Sequence, residues 1–297
     1  MSKKLLFVVN PTSGKGSVKN RLLGILDIFV KDGWCVNIHL TQGKDDACDT
    51  IRKTGNKFDL IVISGGDGTL NEGIRGIMDI PLEKRPRVGY IPTGTTNDFA
   101  ANLKIPKNPL LAAKNIVNGT DFKYDIGCFN DKKFAYVAAF GAFTDVAYNT
   151  PQQNKNILGQ TAYFLEGIKK IHSLKSYRMK VSSNDMEFED EFIFGMVSNT
   201  NYLGGFKAEK VFKAQLNDGM FEVILIRRPK TPLEVQDLIG HLLVQEFNTD
   251  AFKVFCTNNV TFEAKEHVPW TLDGEFGGDE ESVEISLKEK AITMLLK

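Results

Sequence analysis

"IVISGGDGTLNEG" spans residues 61–73, and this stretch indicates the fold of the first part of the chain. An apolar run typical of a buried strand ends in glycines and an aspartate, and a helical pattern follows. Glycine-rich turns between a strand and a helix often bind phosphate, because their backbone amides can approach an anion closely. Neither common template fits. The dinucleotide fingerprint needs glycine at Asn71, and a P-loop needs Gly-Lys before Ser or Thr, whereas Gly16 follows Gly14-Lys15.

Length and charge restrict the class of protein. The 297 residues fit one large domain or two ordinary ones. Lys plus Arg (37) equals Asp plus Glu (37), so no global field attracts nucleic acid, and we expect no nucleic-acid partner. The four cysteines form no C-x-x-C pair, which favours a reducing cytoplasm over a disulfide framework. No apolar stretch approaches the roughly 18 residues that span a bilayer.

Apolar runs alternate with helical patterns up to about residue 122. The predicted strands are 4–9, 34–40, 59–64 and 87–92, and the predicted helices are 17–33, 45–55, one from about 69, and 108–120. Short buried runs separated by helices predict an α/β domain with a parallel sheet over residues 1–122. The last strand, 288–297, is a candidate to complete this sheet.

The second part of the chain has a different pattern. Predicted strands are 122–129, 133–140, 177–183, 191–199, 221–228, 253–264 and 282–288, with helical segments at 159–174 and 232–246. Strands separated by turn residues at this spacing predict a β-rich antiparallel sandwich over residues 123–287.

Four polar segments follow the strands of the first part, and the carboxyl ends of parallel strands share one edge of a sheet. Ordinary turns between strands and helices use the same residue types, so one such segment would decide nothing. Four on one edge favour a nucleotide-phosphate site. The predicted binding residues are Asn10, Pro11, Thr12, Ser13, Gly14, Thr41, Gly65, Gly66, Asp67, Gly68, Thr69, Asn71, Glu72, Thr93, Gly94 and Thr95.

Asp67 suggests that the predicted phosphate site also holds a metal ion. A carboxylate among amides that bind anions is out of place for phosphate alone, but it suits Mg²⁺ carried by a nucleotide triphosphate. Phosphoryl transfer needs such a metal to neutralise charge on the transferring group. Asp98, in the segment after the fourth strand, can join it, so Asp67 and Asp98 are both candidate catalytic residues.

The segments NPTSG (10–14), GGDGTLNE (65–72) and PTGTTNDFA (92–100), in this order, resemble the diacylglycerol kinase catalytic domain of bacterial soluble lipid kinases and sphingosine kinases. The resemblance continues through LNDGMFE (216–222) and LDGEF (272–276). It implies a first domain similar to those of NAD kinases and phosphofructokinases. It also implies ATP and Mg²⁺, and a lipid hydroxyl as acceptor, above all that of diacylglycerol, reached by peripheral contact with a membrane surface.

The turn LNDG (216–219) is ambiguous. Taken alone, Asn-Asp-Gly between apolar runs first indicates a hairpin turn. In the similar lipid kinases this turn holds Mg²⁺, so the resemblance implies three metal ligands here: Asp218 and the carbonyls of Gln215 and Met220. It further implies that water links this ion to Asp67 and Asp98 across a domain cleft.

The segment WTLDGEFGG (270–278) supplies the candidate general base. Residues two apart in a strand face the same side, so Asp273 and Glu275 could share one face. A kinase that acts on a hydroxyl needs a base near it. The sequence does not choose between the two carboxylates, and both are candidate catalytic residues.

Two other functions stay open. One is a NAD kinase, although NAD kinases lack NPTSG and carry a Gly-Ser-Thr-Ala signature that is absent here. The other is a nucleotide-binding regulator without catalysis, which would not need the intact DGE segment. The sequence also leaves open which lipid is the acceptor, and the oligomeric state, a homodimer included.

Overall fold

The structure is a computed structural model and describes residues 3–16, 18–142, 174–184, 186–200, 202–203, 206–207, 215–244 and 246–297. It divides into two compact units, Met1–Asp125 with Glu289–Lys297, and Ile126–Lys288. The chain therefore passes between the units twice. The predicted bounds, 1–122 with 288–297 and 123–287, lie within three residues of these junctions.

The first unit alternates strands and helices. Its strands are β1 (Lys3–Val9), β2 (Trp34–Leu40), β3 (Leu60–Gly65) and β4 (Arg87–Pro92), and its helices are α1 (Leu22–Lys31), α2 (Asp46–Thr54), α3 (Asp67–Met78), α4 (Asp98–Asn102) and α5 (Pro109–Val117). Short 3₁₀ turns lie at Ser13–Gly16, Lys19–Arg21, Gly55–Lys57 and Leu82–Lys84. The helix predicted from residue 17 begins only at Leu22, because the turn at Lys19–Arg21 precedes it, and residue 17 lies outside the described residues.

The strands of this unit pair in parallel in the order β2–β1–β3–β4, and Met294 near the C-terminus adds beside Val88 of β4. All six residues of β3 are buried, as are the last five of β1. Helix α1 packs with α5 and helix α2 packs with α3, and α1, α3 and α5 also contact the strands. Strands covered by helices in this way are apolar runs without alternation.

The strand order places the loops that matter. From β1 the chain goes to one neighbour, β2, and then returns to the other side of β1 as β3. Ligands of open α/β sheets bind outside the carboxyl ends of the strands at such a reversal of strand order. The loops that follow β1 and β3 flank this point.

The second unit is built from strands with one described helix. The strands are β5 (Thr120–Phe129, shared with the first unit), β6 (Lys132–Phe134), β7 (Val137–Gly141), β8 (Tyr177–Ser183), β9 (Met186–Ser198), β10 (Tyr202–Leu203), β11 (Phe206–Lys207), β12 (Phe221–Arg227), β13 (Phe252–Thr257), β14 (Asn259–Leu272) and β15 (Glu275–Leu296, also shared with the first unit). Helix α6 is Pro232–Val244, close to the predicted 232–246. The helix predicted at 159–174 lies, except for residue 174, outside the described residues.

These strands pair antiparallel. Strand β12 lies between β13 and β9, and β14 pairs with β15. Strands β7 and β8 occupy successive parts of the gap between β9 and β14. One face of this sheet carries an aromatic core around Phe140, Phe262 and Trp270, with ring centroids 4.8 to 6.0 Å apart. The other face is covered by α6, so β12 is buried on both sides.

Two predicted strands are interrupted in the structure. The run 133–140 breaks between Phe134 and Val137, because backbone amides there donate to a side chain from β14–β15 rather than to a neighbouring strand. The run 253–264 divides at Asn258, where the Thr257 hydroxyl bonds the backbone of Asn259 and turns the chain. The two-part architecture itself, an α/β part followed by a β-rich part, is confirmed.

Candidate functional site

Asn10 joins the loops that follow β1 and β3. Its backbone N–H donates to the carbonyl of Ser64 at 2.8 Å, and its side-chain Nδ2 donates to Thr69 Oγ1 at 2.9 Å. Its Oδ1 accepts from both the N–H and the hydroxyl of Thr12, at 3.0 and 2.8 Å. One side chain therefore shapes its own turn and holds it against the start of α3.

Two glycines allow the loop after β4 to reach the loop after β3. A Cβ added to Gly94 would lie 2.5 Å from the Cα of Gly66, closer than real Cβ atoms approach backbone. The N–H of Thr93 donates to the Gly65 carbonyl at 2.8 Å, and the Thr93 hydroxyl donates to Ser13 Oγ at 3.2 Å. Three of the four predicted segments thus meet at one place.

Asn97 organises the third loop, and the sequence analysis missed it. It has a left-handed backbone (φ +56) and is 4% exposed. Its Oδ1 accepts the N–H of Gly94 at 3.0 Å, and its Nδ2 donates to the Gly94 carbonyl at 2.7 Å. The buried Tyr90 hydroxyl donates to Gly65 O at 3.1 Å, and burial, with the charge of Asp67, raises the pKa of Tyr90. A signal for Asn97 existed, since Asn is enriched in left-handed turns.

Asp67 and Asp98 lie together. Asp67 is the first residue of α3, and its Oδ2 accepts the N–H of Asp98, the first residue of α4, at 3.2 Å. A carboxylate at a helix N-terminus is stabilised by the helix dipole. Carboxylate oxygens are also the ligands that Mg²⁺ prefers, so this pair can hold a metal beside the loops.

The other predicted residues of the first unit lie at or after the carboxyl ends of its strands. Thr41 ends the pairing of β2 with β1, donating its N–H to Val9 O at 2.9 Å, and is buried. Asn71 and Glu72 lie in the first turns of α3, and Thr95 is exposed in the loop after β4. The remaining predicted residues, Pro11, Gly14 and Gly68, lie in the loop after β1 and at the start of α3.

The Asp218 turn brings the three predicted metal ligands into six residues of chain. The N–H of Asp218 donates to the Gln215 carbonyl at 3.3 Å, and Asp218 Oδ1 accepts the N–H of Met220 at 3.1 Å. Gly219 has φ +78, which the turn requires. In the described part of the chain no group of three or more His, Cys, Asp or Glu side chains is placed to hold a metal. A cation here would therefore depend on the main-chain carbonyl oxygens.

Glu222, four residues further on, was not predicted. It is 3% exposed in β12, and burial raises its pKa to about 8, with a smaller contribution from the charge of Asp218. Among the described residues its Oε2 has no hydrogen-bond partner. A buried carboxylate oxygen close enough to feel Asp218 fits a hard cation with oxygen ligands. The signal in the sequence was one acidic residue inside the apolar run FEVILI.

The hairpin at Asp273 corrects the argument that paired it with Glu275. Leu272 of β14 pairs directly with Glu275 of β15, so Asp273 and Gly274 form a two-residue turn. Both have positive φ, +51 and +83, as a type I′ turn requires. The two carboxylates do not alternate along one strand, and the expectation of a shared face is wrong.

The two carboxylates have different surroundings. Asp273 is 5% exposed. Its Oδ2 accepts the N–H of Ala135 at 2.6 Å, and its Oδ1 accepts those of Tyr136 and Val137 at 2.9 and 3.1 Å. Glu275 is exposed at the start of β15. Both oxygens of Asp273 are therefore engaged, whereas Glu275 is accessible to a substrate.

Comparison with known proteins gives consistent matches along the chain. Residues 4–129 match the model of the diacylglycerol kinase catalytic domain, and residues 138–295 match the YegS C-terminal NAD kinase beta sandwich-like domain. A protein from Bacillus subtilis (strain 168) named diacylglycerol kinase is 34% identical over 93% of this chain and 91% of its own length. The diacylglycerol kinase of Staphylococcus carnosus (strain TM300) is 30% identical over 97% and 94%.

A solved structure matches the whole chain. It is a Bacillus anthracis str. Sterne protein, itself only provisionally assigned as a diacylglycerol kinase. It covers 100% of this chain and 98% of its own, with a TM-score of 0.82 and 26% identity. Among the residues that the structure describes, no helix is both long and apolar enough to cross a membrane.

The two matched domains and the relatives define the class of protein as a kinase, that is, a phosphotransferase with an alcohol group as acceptor. The chain belongs to the diacylglycerol kinase family. The resemblance found in the sequence motifs is thereby confirmed. Membership of a kinase family also implies ATP as the phosphoryl donor.

Proposed function

We propose that this protein transfers the γ-phosphoryl group of ATP to the free hydroxyl of diacylglycerol and forms phosphatidic acid. The observation that carries the proposal is the meeting of three loops around Asp67, at the reversal of strand order, in a chain that matches the catalytic domain of this family. Because diacylglycerol resides in membranes, the protein would act at a membrane surface.

The first unit would bind the nucleotide. Backbone amides at the start of α3 and in the loop after β4 would bind phosphate oxygens, since glycine at 66 and 94 lets the backbone come close. Asn10 and Asn97 would keep these loops in place through their bonds to Thr69 and Gly94. Their role would be to orient the phosphates before transfer.

Two groups of oxygen ligands would hold Mg²⁺. Asp67 and Asp98 lie together beside the phosphate loops, and the Asp218 turn offers one carboxylate with the carbonyls of Gln215 and Met220. Beside the loops, bound Mg²⁺ would supply neutralisation of charge on the transferring phosphoryl group. At the turn, the charge of Asp218 reaches the buried Glu222, and a bound cation would favour the ionised form of this carboxyl.

Glu275 would act as the general base. Its exposed carboxylate would take the proton of the lipid hydroxyl while the hydroxyl oxygen bonds to the γ-phosphorus and the bond to ADP breaks. Asp273 suits this role poorly, because both of its oxygens already accept backbone N–H groups.

The proposal is tested by the acceptor. Purified protein with radiolabelled ATP and Mg²⁺ is offered diacylglycerol, other lipid alcohols, sphingosine and NAD in detergent micelles. We expect label in phosphatidic acid, with turnover on diacylglycerol at least about tenfold above the other acceptors, as a pocket that contacts the acceptor should give. Label on NAD alone would favour a NAD kinase. Transfer to no acceptor by folded, ATP-binding protein would favour a regulator without catalysis.

A further inference from the structure

We propose that Asp273 is a positioning residue, whose carboxylate fixes the β14–β15 hairpin tip, and with it Glu275, against the chain segment between β6 and β7. The inference deepens the proposed function, because it rests on Glu275 being the base. It assigns Asp273 no contact with substrate. The carboxylate that the sequence made a candidate base would instead hold the true base in place.

Five hydrogen bonds join the tip to this segment. The Asp273 carboxylate accepts three backbone N–H groups, from Ala135, Tyr136 and Val137, at 2.6 to 3.1 Å. The N–H of Asp273 donates to Val137 O at 2.8 Å, and the Tyr136 hydroxyl donates to Asp273 O at 3.3 Å. These bonds continue the pairing of β14 with β7, which reaches Leu272 opposite Ala138. The turn residue is thus held through its side chain and its backbone.

The segment itself is shaped for this contact. Between Phe134 and Val137 the chain leaves strand geometry, so three successive amides point toward one side chain. Ala135 is 2% exposed and Asp273 is 5% exposed, so water cannot easily replace the bonds. Three converging donors form an anion-binding concavity, which an ionised carboxylate satisfies better than a neutral group does.

An aspartate meets both demands of the position. It tolerates the left-handed backbone, with φ +51, and it offers acceptor oxygens without any donor. Asparagine also tolerates this backbone, but it has one acceptor oxygen, and its NH₂ group would face a backbone donor. Asp273→Asn therefore weakens the contact while leaving the turn allowed, which makes it the informative substitution.

The hydrogen bonds of Asp273 to residues 135–137, called the clamp below, lie close in sequence to the proposed base. Glu275 follows the turn by one residue and pairs with Leu272, so a shift of Asp273 moves Glu275 with it. A misplacement of about 1 Å can lower a rate by about 100-fold. Loss of the clamp should therefore lower kcat by about 10- to 100-fold. The KM for ATP should stay within about twofold, because this hairpin holds the base and the nucleotide loops belong to the first unit.

The test combines kinetics with hydrogen exchange of the free protein. Asp273→Asn, Asp273→Ala and Glu275→Gln are compared with Asp279→Asn, a control in an exposed carboxylate further along β15. We expect faster exchange at the amides of residues 135–137 in both Asp273 variants, more in the alanine variant. Glu275→Gln and Asp279→Asn should leave that exchange unchanged. Between the two Asp273 variants, activity should fall in the same order as protection. Glu275→Gln should lose activity without losing protection, and Asp279→Asn should keep the wild-type rate.

Several outcomes would overturn the proposal. One is an inactive Asp273→Asn with unchanged exchange at 135–137, which would place Asp273 in the chemistry. Another is lost protection with wild-type kcat, which would show that the clamp positions nothing. If the alanine variant fails to fold, Tyr136→Phe replaces it, because it removes one hydrogen bond to Asp273 and should give a smaller loss of kcat. Wild-type kcat values in both Tyr136→Phe and Asp273→Asn would also contradict the proposal. Exchange needs no substrate, so a wrong acceptor would leave this readout valid.

Discussion

Asp67–Gly68 in the first unit and Asp273–Gly274 in the second are the same two residues in two different settings. Asp67 begins α3, half-buried, with the N–H of Asp98 at 3.2 Å from its Oδ2. Asp273 is a turn residue with positive φ, 5% exposed, and its carboxylate accepts three backbone N–H groups. The first carboxylate lies beside the loops that we propose bind the nucleotide, and the second is bonded to the segment between β6 and β7.

The difference shows how to judge a candidate catalytic carboxylate. An Asp-Gly pair is both a common turn signal and a common part of phosphate sites, so the letters do not separate the two roles. What separates them is the number of backbone donors that the carboxylate already satisfies. A carboxylate that neutralises a buried group of amides contributes to stability, whereas one beside anion-binding loops contributes to chemistry.

Among the Asp-Gly pairs, the largest effect on the rate is expected at Asp67. Asp67→Ala should lower kcat by about 10³-fold, because a metal-organising carboxylate stabilises the transition state by several kcal/mol. Stability should change by less than about 1 kcal/mol, since the residue lies in a loop at a helix start. Steady-state kinetics and urea unfolding measure both, with Asp27→Ala on the exposed face of α1 as control. More than a tenth of wild-type activity in Asp67→Ala would break the comparison.

Asp273→Ala should lower the free energy of unfolding much more than Asp67→Ala does. Three amide donors would lose their acceptor, and an unsatisfied buried donor costs about 1–3 kcal/mol. We expect the free energy of unfolding to fall by on the order of 3 kcal/mol, measured by urea denaturation beside Asp67→Ala. Equal stability of the two variants would mean that the clamp contributes nothing to folding.

The sequence predicted the first unit well because its signals are local. Apolar runs such as 60–65 and 88–92 are buried on both faces, and the loops after them carry glycine where backbones approach, as at Gly94. Asn97 was missed because its role depends on a left-handed backbone and on the partner Gly94, neither of which periodicity shows.

The second unit was harder to predict because its contacts are distant in sequence. The break in the run 133–140 is made by Asp273, more than a hundred residues later, so no local pattern reveals it. The same contact supports our proposal of Glu275 over Asp273, a choice that the sequence left open. Glu222 was missed for a related reason, since a lone acidic residue in an apolar run does not show whether it is paired.

Glu222 offers a second comparison with Asp273. Both carboxyl groups are buried, but Asp273 accepts three backbone N–H groups, whereas Glu222 Oε2 has no hydrogen-bond partner among the described residues. Its pKa is raised from 4.5 to about 8, chiefly by burial, so the folded protein keeps a proton that the unfolded chain releases between these values. The contribution of protonated Glu222 to the free energy of unfolding is therefore fully present below pH 4.5 and is lost as pH rises towards 8. Without metal, we expect a loss on the order of 2 kcal/mol from about pH 5 to 7. Unfolding in chelator should show a flatter pH dependence for Glu222→Gln, and an unchanged slope would contradict this.

The smallest effect is expected at Asp218, a third Asp-Gly pair. If the turn binds Mg²⁺, saturating metal should raise the melting temperature of wild type by a few degrees and leave that of Asp218→Ala unchanged. Thermal unfolding with and without Mg²⁺ measures this, and Asp279→Ala serves as an exposed control. Equal shifts in Asp218→Ala and wild type would make this turn a simple hairpin connection.

The central claim, that Glu275 is the base of a lipid kinase, is tested most directly by single-turnover transfer from radiolabelled ATP to diacylglycerol in wild type and Glu275→Gln. The substitution keeps the size of the side chain and removes its basicity. The account predicts a transfer rate lower by about 10²- to 10⁴-fold in Glu275→Gln, with ATP affinity unchanged. Transfer by Glu275→Gln at the wild-type rate would contradict it.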